Sequence, residues 1–313
     1  MNFTAKDVQT LREMTGVGMM DCKKALVETD GNIDKAVEFL REKGMAAAAK
    51  KAGRIAAEGV CYATVCGDCA CGVSAAVECN SETDFVAKNE NFMEFVKLCA
   101  DVVIKENPAD VEALKNCKAT DGRTIGENLN DLILKIGENM QIRRFVRYDT
   151  PVNAAYVHMG GKIAVLVNME VSDNLKSNPA VAELGRDVAM QIAAMNPSWL
   201  SEAEADADTI AKEREIIIAQ IKQDESNSKK PENVIEKMVE GRIRKYLADV
   251  CLLMQNYVKG DKITVADHVA AVAKQLGGEI KLAKFERFER GEGIEKKVDD
   301  LAAIVQTMID EQK

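Results

Sequence analysis

The chain carries one pattern of residues twice, and this repeat constrains its fold more than any other feature. Residues 60–79 alternate apolar and polar side chains on both sides of a turn, and an amphipathic helical pattern then runs to Asn107-Pro108. Residues 154–171 repeat the two strands around a Gly-Gly turn, and the helical pattern that follows runs to Asn196-Pro197. The repeat predicts a duplicated α+β core in which each copy is a small antiparallel sheet covered by helices.

Helical and strand patterns continue between and after the two copies. Residues 125–136 place apolar side chains on one helical face, and residues 141–149 alternate as a strand does. After the second copy, residues 264–276 predict another helix, residues 279–291 predict a further strand, and residues 301–308 carry the apolar face of a final amphipathic helix. Each copy is therefore expected to draw on more of the chain than the repeated segment itself.

Three further helical patterns precede the repeat, in residues 4–44. Thr4 is a candidate N-cap for the first pattern, and Asp7 three residues later completes a weak capping box. Gly44 is expected to end the third pattern, because glycine commonly ends helices. The alanine-rich stretch at residues 45–58 contains a short basic cluster and is expected to be a solvated helical linker.

Residues 202–258 differ from the core, because they hold two long and highly charged helical patterns. A polar turn at residues 224–230, followed by Pro231, separates the two patterns. Two long helices joined by a short loop predict an antiparallel helical hairpin. Its charge suggests that the hairpin projects into solvent, where it is either a structural arm or a second docking surface.

The charge balance argues against a nucleic-acid-binding protein. The net charge is −9 at pH 7 and the isoelectric point is about 5.1, whereas proteins that bind phosphate backbones usually carry a basic surface. The sequence has no run of about 18 apolar residues, so no membrane span is expected. The first residues lack the basic region and apolar core of a secretory signal, which predicts a cytoplasmic location in a bacterium.

Nine cysteines in a chain without a secretory signal are expected to be reduced thiols. The spacing Cys66-x-x-Cys69-x-Cys71 also fits a zinc-dependent or redox protein. A second pair of ligands is missing nearby, and both histidines, His158 and His268, are far away in the chain. Because the same residues fit the turn of a hairpin in which cysteine acts as a small apolar residue, we predict no metal site.

The sequence lacks the motifs of several large enzyme classes. It has no G-x-x-x-x-G-K-[ST] phosphate-binding loop, no H-E-x-x-H metalloprotease motif and no G-x-S-x-G nucleophile motif. Neither histidine lies beside a nucleophile in the sequence. These absences favour a protein that acts by contact with another protein, and they predict neither an enzyme nor a bound cofactor.

The segment "ECNSETDFVAKN" (78–89) ends a predicted strand and begins a helix, and it sets Asp84 directly before Phe85 at the turn. Two interpretations are open from these residues. In the first, Asp84 caps the helix and Phe85 packs into the core. In the second, the pair lies exposed at the turn and contacts a partner.

Two motifs give the chain a resemblance to a known family. The segments "LREMTGVGMMDCKKAL" (11–26) and "SETDFVAKN" (81–89) resemble the translation elongation factor Ts family, and the likeness extends over nearly the whole chain. The resemblance implies a three-helix domain of the ubiquitin-associated (UBA-like) type at the N-terminus and a helical module at the C-terminus. The predicted domains are 1–55 with the three helices and linker, 56–145 and 146–204 as the two core subdomains, the second completed by 259–292, 205–258 as the hairpin, and 293–313 as the C-terminal module.

The resemblance also implies a function, which is guanine nucleotide exchange on the GTPase elongation factor Tu. Members of the family speed the release of GDP without binding the nucleotide themselves. In the family, an Asp-Phe pair reaches into the GTPase near its magnesium ion, which implies that role for Asp84 and Phe85. Thr83, Val86 and Lys88 are expected to hold the loop and to begin the next helix.

Further contacts with the GTPase follow from the same resemblance. Val17, Met19 and Met20 are expected to dock on its nucleotide-binding domain, and methionines suit an adaptable contact surface. His158 is expected to contact a more distant domain of the GTPase. The helical hairpin is a candidate for pairing two such complexes into a dimer of heterodimers. The alternative function is that of an adaptor that binds a different protein through residues 4–44.

Overall fold

The structure is a computed structural model that describes residues 2–66, 72–224, 230–260 and 262–295. Within these ranges the chain combines many helices with two three-stranded sheets, so the predicted α+β class is confirmed. The chain divides into two compact units. As far as the described residues reach, the first unit consists of residues 1–61, 77–145 and 289–313, and the second of residues 62–76 and 146–288.

The first unit begins with three helices, α1 (Ala5–Thr15), α2 (Met19–Glu28) and α3 (Ile33–Lys51). The predicted capping box is present at the start of α1. The Thr4 backbone N–H donates to the Asp7 carboxylate at 2.7 Å, and the Asp7 N–H donates to Thr4 Oγ1 at 3.4 Å. The apolar faces of the three helices meet in a core of Val8, Leu11, Val17, Cys22, Ala25, Leu26, Ala36 and Leu40.

The first sheet has the order β1-β2-β3, and every residue of its central strand is buried. Its strands are β1 (Glu58–Val65), β2 (Ser74–Ser81) and β3 (Met140–Tyr148). Four helices lie between β2 and β3 in the chain: α4 (Asp84–Ala87), α5 (Glu90–Glu106), α6 (Val111–Asn116) and α7 (Ile125–Ile136). The apolar residues of α5 and α7 recur at helical spacing, so each helix buries one face.

The prediction that Gly44 ends the third helix is wrong, because α3 continues to Lys51. Gly44 lies against the backbone of α7, where an added Cβ would be 3.3 Å from the carbonyl oxygen of Asn130. The glycine therefore permits a close approach of two helices. The alanines after it continue the helix, since alanine has the highest helix propensity. Part of the predicted linker at residues 45–58 is thus the last two turns of α3.

The second sheet has the order β4-β5-β6. Its strands are β4 (Asn153–His158), β5 (Ile163–Val171) and β6 (Ile280–Glu289). Strands β4 and β5 are antiparallel, in a register that pairs Asn153 with Asn168 and His158 with Ile163. Four α-helices again precede the third strand: α8 (Pro179–Met195), α9 (Ala207–Gln223), α10 (Glu232–Val250) and α11 (Val265–Leu276).

Matching ends mark the corresponding helices of the two copies. Helices α5 and α8 each end at an asparagine with left-handed backbone, Asn107 and Asn196, directly before a proline. Helices α7 and α11 each begin with a threonine capping box and end at a left-handed glycine, Gly137 and Gly277. The third strand of the sheet follows in both copies. The repeat therefore includes more than the two strands and one helix from which it was predicted.

Helices α9 and α10 pack against each other around a small core of Ile217, Ile221 and Val239, and most of their other side chains are at least partly exposed. Residues 225–229 of the predicted polar turn and the helix predicted over residues 301–308 lie outside the described residues. None of the helices that the structure describes is long and apolar enough to cross a membrane. The division into five domains stays a prediction.

Candidate functional site

Asp84 and Phe85 lie in the single helical turn α4, which begins just after β2 ends. Thr83 is the N-cap of this turn: its backbone is extended, and its Oγ1 accepts a hydrogen bond from the Val86 N–H at 3.5 Å. Val86 and Ala87 are buried, whereas Phe85 is 81% exposed. The interpretation with Asp84 as the cap and Phe85 in the core is wrong, because Thr83 occupies the cap and the phenyl ring faces solvent.

Two glutamates from different loops hold the base of α4. Glu138 accepts two hydrogen bonds from Thr83, one from the backbone N–H at 3.0 Å and one from the hydroxyl at 2.7 Å. Glu82 in turn accepts the backbone N–H of Asn139 at 2.5 Å. Neither glutamate was predicted from the sequence. Their partners are 55 and 57 residues away in the chain, and no periodicity or motif connects them.

The Asp84 carboxylate is ionised at neutral pH and lies beside a lysine. Its Oδ2 accepts a hydrogen bond from Lys88 Nζ at 2.9 Å. This hydrogen bond and the positive charge of Lys88 hold the pKa of Asp84 below its ordinary value of 3.8. Both side chains are exposed, so water screens the ion pair and it contributes little to stability. The turn therefore offers solvent a carboxylate and an aromatic ring side by side.

The strand that leads to α4 carries a buried carboxylate. Glu78 on β2 has no exposed surface, and it accepts hydrogen bonds from the Gly291 N–H at 2.8 Å, from Arg143 at 3.0 Å and from Arg144 at 2.6 Å. Burial alone raises the pKa of Glu78, but hydrogen bonds from Gly291, Asn80 and the two arginines outweigh it, so the net shift is downward. The ionised carboxylate thus joins β2 to β3 and to the segment that follows β6.

The three-helix part of the first unit presents the predicted methionines at its surface. Met19 and Met20, at the start of α2, are 49% and 66% exposed. Val17 is buried in the core of the three helices, and its carbonyl accepts a hydrogen bond from the Cys22 thiol at 3.5 Å. Val17 therefore supports the loop from beneath. Met14 at the end of α1 is 61% exposed and adds to the apolar surface. This exposure was not predicted from the sequence.

His158 lies in the second unit, at the end of β4 where the hairpin turns toward β5. Its Nδ1 is 2.9 Å from the Tyr156 hydroxyl, which fixes the orientation of the ring. The next residue, Met159, is 71% exposed and has a positive φ of 47°, an uncommon conformation for a residue other than glycine. Two glycines complete the turn. The turn therefore presents a half-buried imidazole and an exposed thioether, and only the imidazole was predicted from the sequence.

The proposed zinc ligands are only partly described. Cys66 is half-buried, and its backbone N–H donates to the Val73 carbonyl at 2.7 Å, whereas Cys69 and Cys71 lie outside the described residues. Within the part of the chain that the structure covers, no group of three or more histidine, cysteine, aspartate or glutamate side chains could hold a metal ion. The exposed groups at α4, at α2 and at the β4-β5 turn are surfaces suited to protein contact.

Comparison with known proteins identifies relatives over nearly the whole chain. The sequence model of the family described as "Elongation factor TS" matches residues 82–292. The chain is 50% identical over 302 residues to elongation factor Ts of Clostridioides difficile, and this alignment covers 96% of this chain and 97% of the relative. It is 49% identical over 308 residues to elongation factor Ts of Clostridium perfringens strain ATCC 13124, and this alignment covers 98% of this chain and 99% of the relative. Elongation factor Ts of Syntrophotalea carbinolica is 48% identical over 312 residues, and this alignment also covers 98% of this chain and 99% of the relative.

Proposed function

The chain belongs to the elongation factor Ts family and is a translation elongation factor, and we propose that it binds elongation factor Tu in the GDP-bound state and accelerates the release of GDP. It acts as a nucleotide exchange factor and carries out no covalent chemistry of its own. The partner is the GTPase, and neither nucleic acid nor a membrane is part of the proposal. The reaction takes place in the cytoplasm.

The observation that carries the proposal is the exposure of Phe85 beside an ionised Asp84. A phenylalanine at 81% exposure leaves an apolar ring in water, although the neighbouring Val86 and Ala87 are both buried. Transfer of such a ring into an apolar pocket is worth about 1.5–3 kcal/mol. That free energy becomes available when the GTPase opens a pocket, so the ring favours the opened form of the partner.

Asp84 acts on the nucleotide site through charge. We place its carboxylate near the magnesium ion and the β-phosphate of the bound GDP when Phe85 is inserted. Magnesium requires near-octahedral oxygen coordination at short distances, so small displacements of its surroundings weaken its binding. A GTPase that loses magnesium holds GDP less tightly, because the charge of the phosphates is no longer neutralised. Lys88 must give up its ion pair with Asp84 for this contact, at little cost in free energy because the pair is exposed.

The thermodynamics of exchange are reciprocal. If binding of this protein lowers the affinity of the GTPase for GDP, GDP lowers the affinity of the GTPase for this protein by the same factor. The protein therefore speeds exchange through a ternary complex and does not determine which nucleotide is finally bound. The nucleotide that is more abundant in the cell determines the direction.

The exposed methionines of α2 and the half-buried His158 supply affinity. Met19 and Met20 dock on the nucleotide-binding domain of the GTPase, and His158 contacts a more distant domain. These contacts hold the partner while Phe85 enters it. The helical pair α9 and α10 is available for pairing two complexes, which would give a dimer of heterodimers.

The test of the proposal is the release of fluorescently labelled GDP from purified elongation factor Tu, measured by stopped flow at several concentrations of this protein. We expect the release rate to rise with concentration and to saturate, because a ternary complex forms first. A release rate equal to the unassisted rate at every concentration would refute exchange as the function. Capture of a different protein by the intact chain, without capture of the GTPase, would support the adaptor alternative.

A further inference from the structure

The direction of the Phe85 side chain depends on groups outside α4. A helix of four residues has too few internal hydrogen bonds to be stable by itself, since most of its backbone groups are unpaired within the helix. Its capping bond, from the Val86 N–H to Thr83 Oγ1, is long at 3.5 Å. The burial of Val86 and Ala87 fixes one side of the turn. The base of the turn needs another support.

Glu138 supplies this support through both oxygens of its carboxylate. Oε2 accepts the Thr83 backbone N–H at 3.0 Å, and Oε1 accepts the Thr83 hydroxyl at 2.7 Å. The hydroxyl has one proton, which it donates to Glu138, so its lone pairs remain free to accept the Val86 N–H. One carboxylate therefore sets both the backbone and the side-chain rotamer of the N-cap. Hydrogen bonds to a charged acceptor are stronger than those between neutral groups.

A second, reciprocal contact keeps Glu138 in place. Helix α7 ends at Gly137, whose left-handed backbone turns the chain toward α4. The residue after Glu138, Asn139, is buried; its backbone N–H donates to Glu82 Oε1 at 2.5 Å and its side chain donates to the Arg54 carbonyl at 2.7 Å. The loop before α4 (82–83) and the loop after α7 (138–139) thus each donate a backbone N–H to a glutamate of the other. The exchange of bonds restricts rotation of the loops about each other.

We propose that Glu138 is a positioning residue for nucleotide exchange, which fixes the α4 turn so that Phe85 is oriented for insertion into the GTPase. The inference rests on the proposed function. It differs from a role in affinity, because Glu138 supports Thr83 from within this protein and the docking residues are elsewhere. A Phe85 side chain that is already oriented loses less conformational entropy on insertion, so its orientation raises the rate at which the partner opens.

Replacement of Glu138 by glutamine separates these roles. The amide has the shape of the carboxylate but carries no charge. When its oxygen accepts the Thr83 backbone N–H, its NH2 group faces the Thr83 hydroxyl, which loses the charged acceptor for its proton and has to accept from the amide as well as from the Val86 N–H. We expect the rate of GDP release at saturation to fall about tenfold, since small misplacements of an acting group reduce rates by such factors. The concentration for half-saturation should change less than about threefold, because the docking surfaces are intact. Glu112 is an exposed glutamate on α6 that pairs with Lys115, and Glu112→Gln is the matched control, which should leave both quantities unchanged.

Two further measurements separate positioning from a general loss of structure. A tryptophan in place of Phe85, in a chain whose only tryptophan, Trp199, is changed to phenylalanine, reports the mobility of α4 by fluorescence anisotropy in the free protein. Glu138→Gln should lower this anisotropy and leave the thermal unfolding midpoint close to that of the parent. If Glu138→Gln unfolds too easily, Thr83→Val tests the same link, and Thr83→Ser should retain more of the saturating rate than Thr83→Val does.

The outcomes distinguish this inference from the proposed function. If the unmodified protein does not accelerate GDP release, the proposed function has failed. If it does, but Glu138→Gln releases GDP at the same saturating rate, the positioning role is refuted while the function stands. If Glu138→Gln changed only the concentration for half-saturation, the positioning role would also be refuted, since that result would place Glu138 in the docking surface. A folded Thr83→Val variant with an unchanged saturating rate would refute it as well.

Discussion

Replacement of Glu78 by glutamine tests how the strand that leads to α4 is held in the first unit. The carboxylate has no exposed surface and joins three parts of the chain, because it binds Arg143 and Arg144 of β3 and the Gly291 backbone after β6. Glutamine keeps the volume and one acceptor oxygen. It removes the negative charge and points an N–H donor at groups that are themselves donors.

The expected loss follows from those contacts. Hydrogen bonds to a charged group contribute about 1.5–3 kcal/mol each, and removal of one member of a buried ion pair usually costs about 3–5 kcal/mol. The side chains of Arg143 and Arg144 are 26% and 32% exposed, so water can replace part of what they lose. We therefore expect the free energy of unfolding of the first unit to fall by about 3 kcal/mol at neutral pH, at the lower end of the range for buried pairs.

The effect should depend on pH with a defined sign. The pKa of Glu78 in the folded protein is below its ordinary value of 4.5, so the stability that its charge provides is complete above that value. This stability is lost as the pH falls through the lowered folded-state pKa. The difference between the parent and Glu78→Gln should therefore be largest at neutral pH and should shrink in acid, where the parent also loses the charge.

Urea unfolding followed by far-ultraviolet circular dichroism measures this difference, and hydrogen exchange of amides in α5 and α7 assigns the transition to the first unit. Glu112→Gln removes a charge from an exposed pair and should change the free energy of unfolding by less than about 0.5 kcal/mol. A loss of less than about 0.5 kcal/mol in Glu78→Gln, or a loss that is equal at neutral and acid pH, would refute the reasoning.

Three further experiments have expected outcomes. Gly241 lies in the exposed interior of α10, and apart from its own stretch of helix no described atom would lie within 4 Å of an added Cβ. Gly241→Ala should therefore raise the free energy of unfolding by about 0.5–1 kcal/mol in urea titrations. Gly44→Leu should lower the free energy of unfolding by about 1–3 kcal/mol, because α3 and α7 would be forced apart. The control Gly53→Ala, at a position with open space around an added Cβ, should have almost no effect on it. In the folded protein, a thiol reagent should modify the half-buried Cys66 well before the fully buried Cys79, and equal modification rates, measured by mass spectrometry, would contradict the described burial.

The sequence predicted the elements whose residues interact locally. The apolar spacing of residues 125–136 is sufficient to define α7, and Thr4 with Asp7 is sufficient to define the first cap, because these interactions occur within one or two helical turns. Gly44 was misinterpreted for the opposite reason. Its presence is explained by the backbone of α7, which is distant in the chain, and no local rule reports that contact.

The candidate site also combines features that local sequence predicts with features that depend on residues distant in the chain. The sequence placed Asp84 and Phe85 at a turn, but it left open whether the ring is buried, because one apolar residue in a single turn carries no periodicity. The capping of α4 by Thr83 and the burial of Val86 resolved this question. Glu138 could not be found from the sequence, since a glutamate after a helix is an ordinary surface residue until its partner is known.

The most direct test of the account compares GDP release from elongation factor Tu by the unmodified protein and by Phe85→Ala. The variant should fold normally, because a side chain that is 81% exposed contributes little to stability. If the ring is buried in the partner only while GDP leaves, its loss should reduce the saturating rate about 10- to 100-fold, with binding to the GTPase retained. If Phe85→Ala accelerates release as well as the unmodified protein does, insertion of the Phe85 ring as the mechanism of exchange is contradicted.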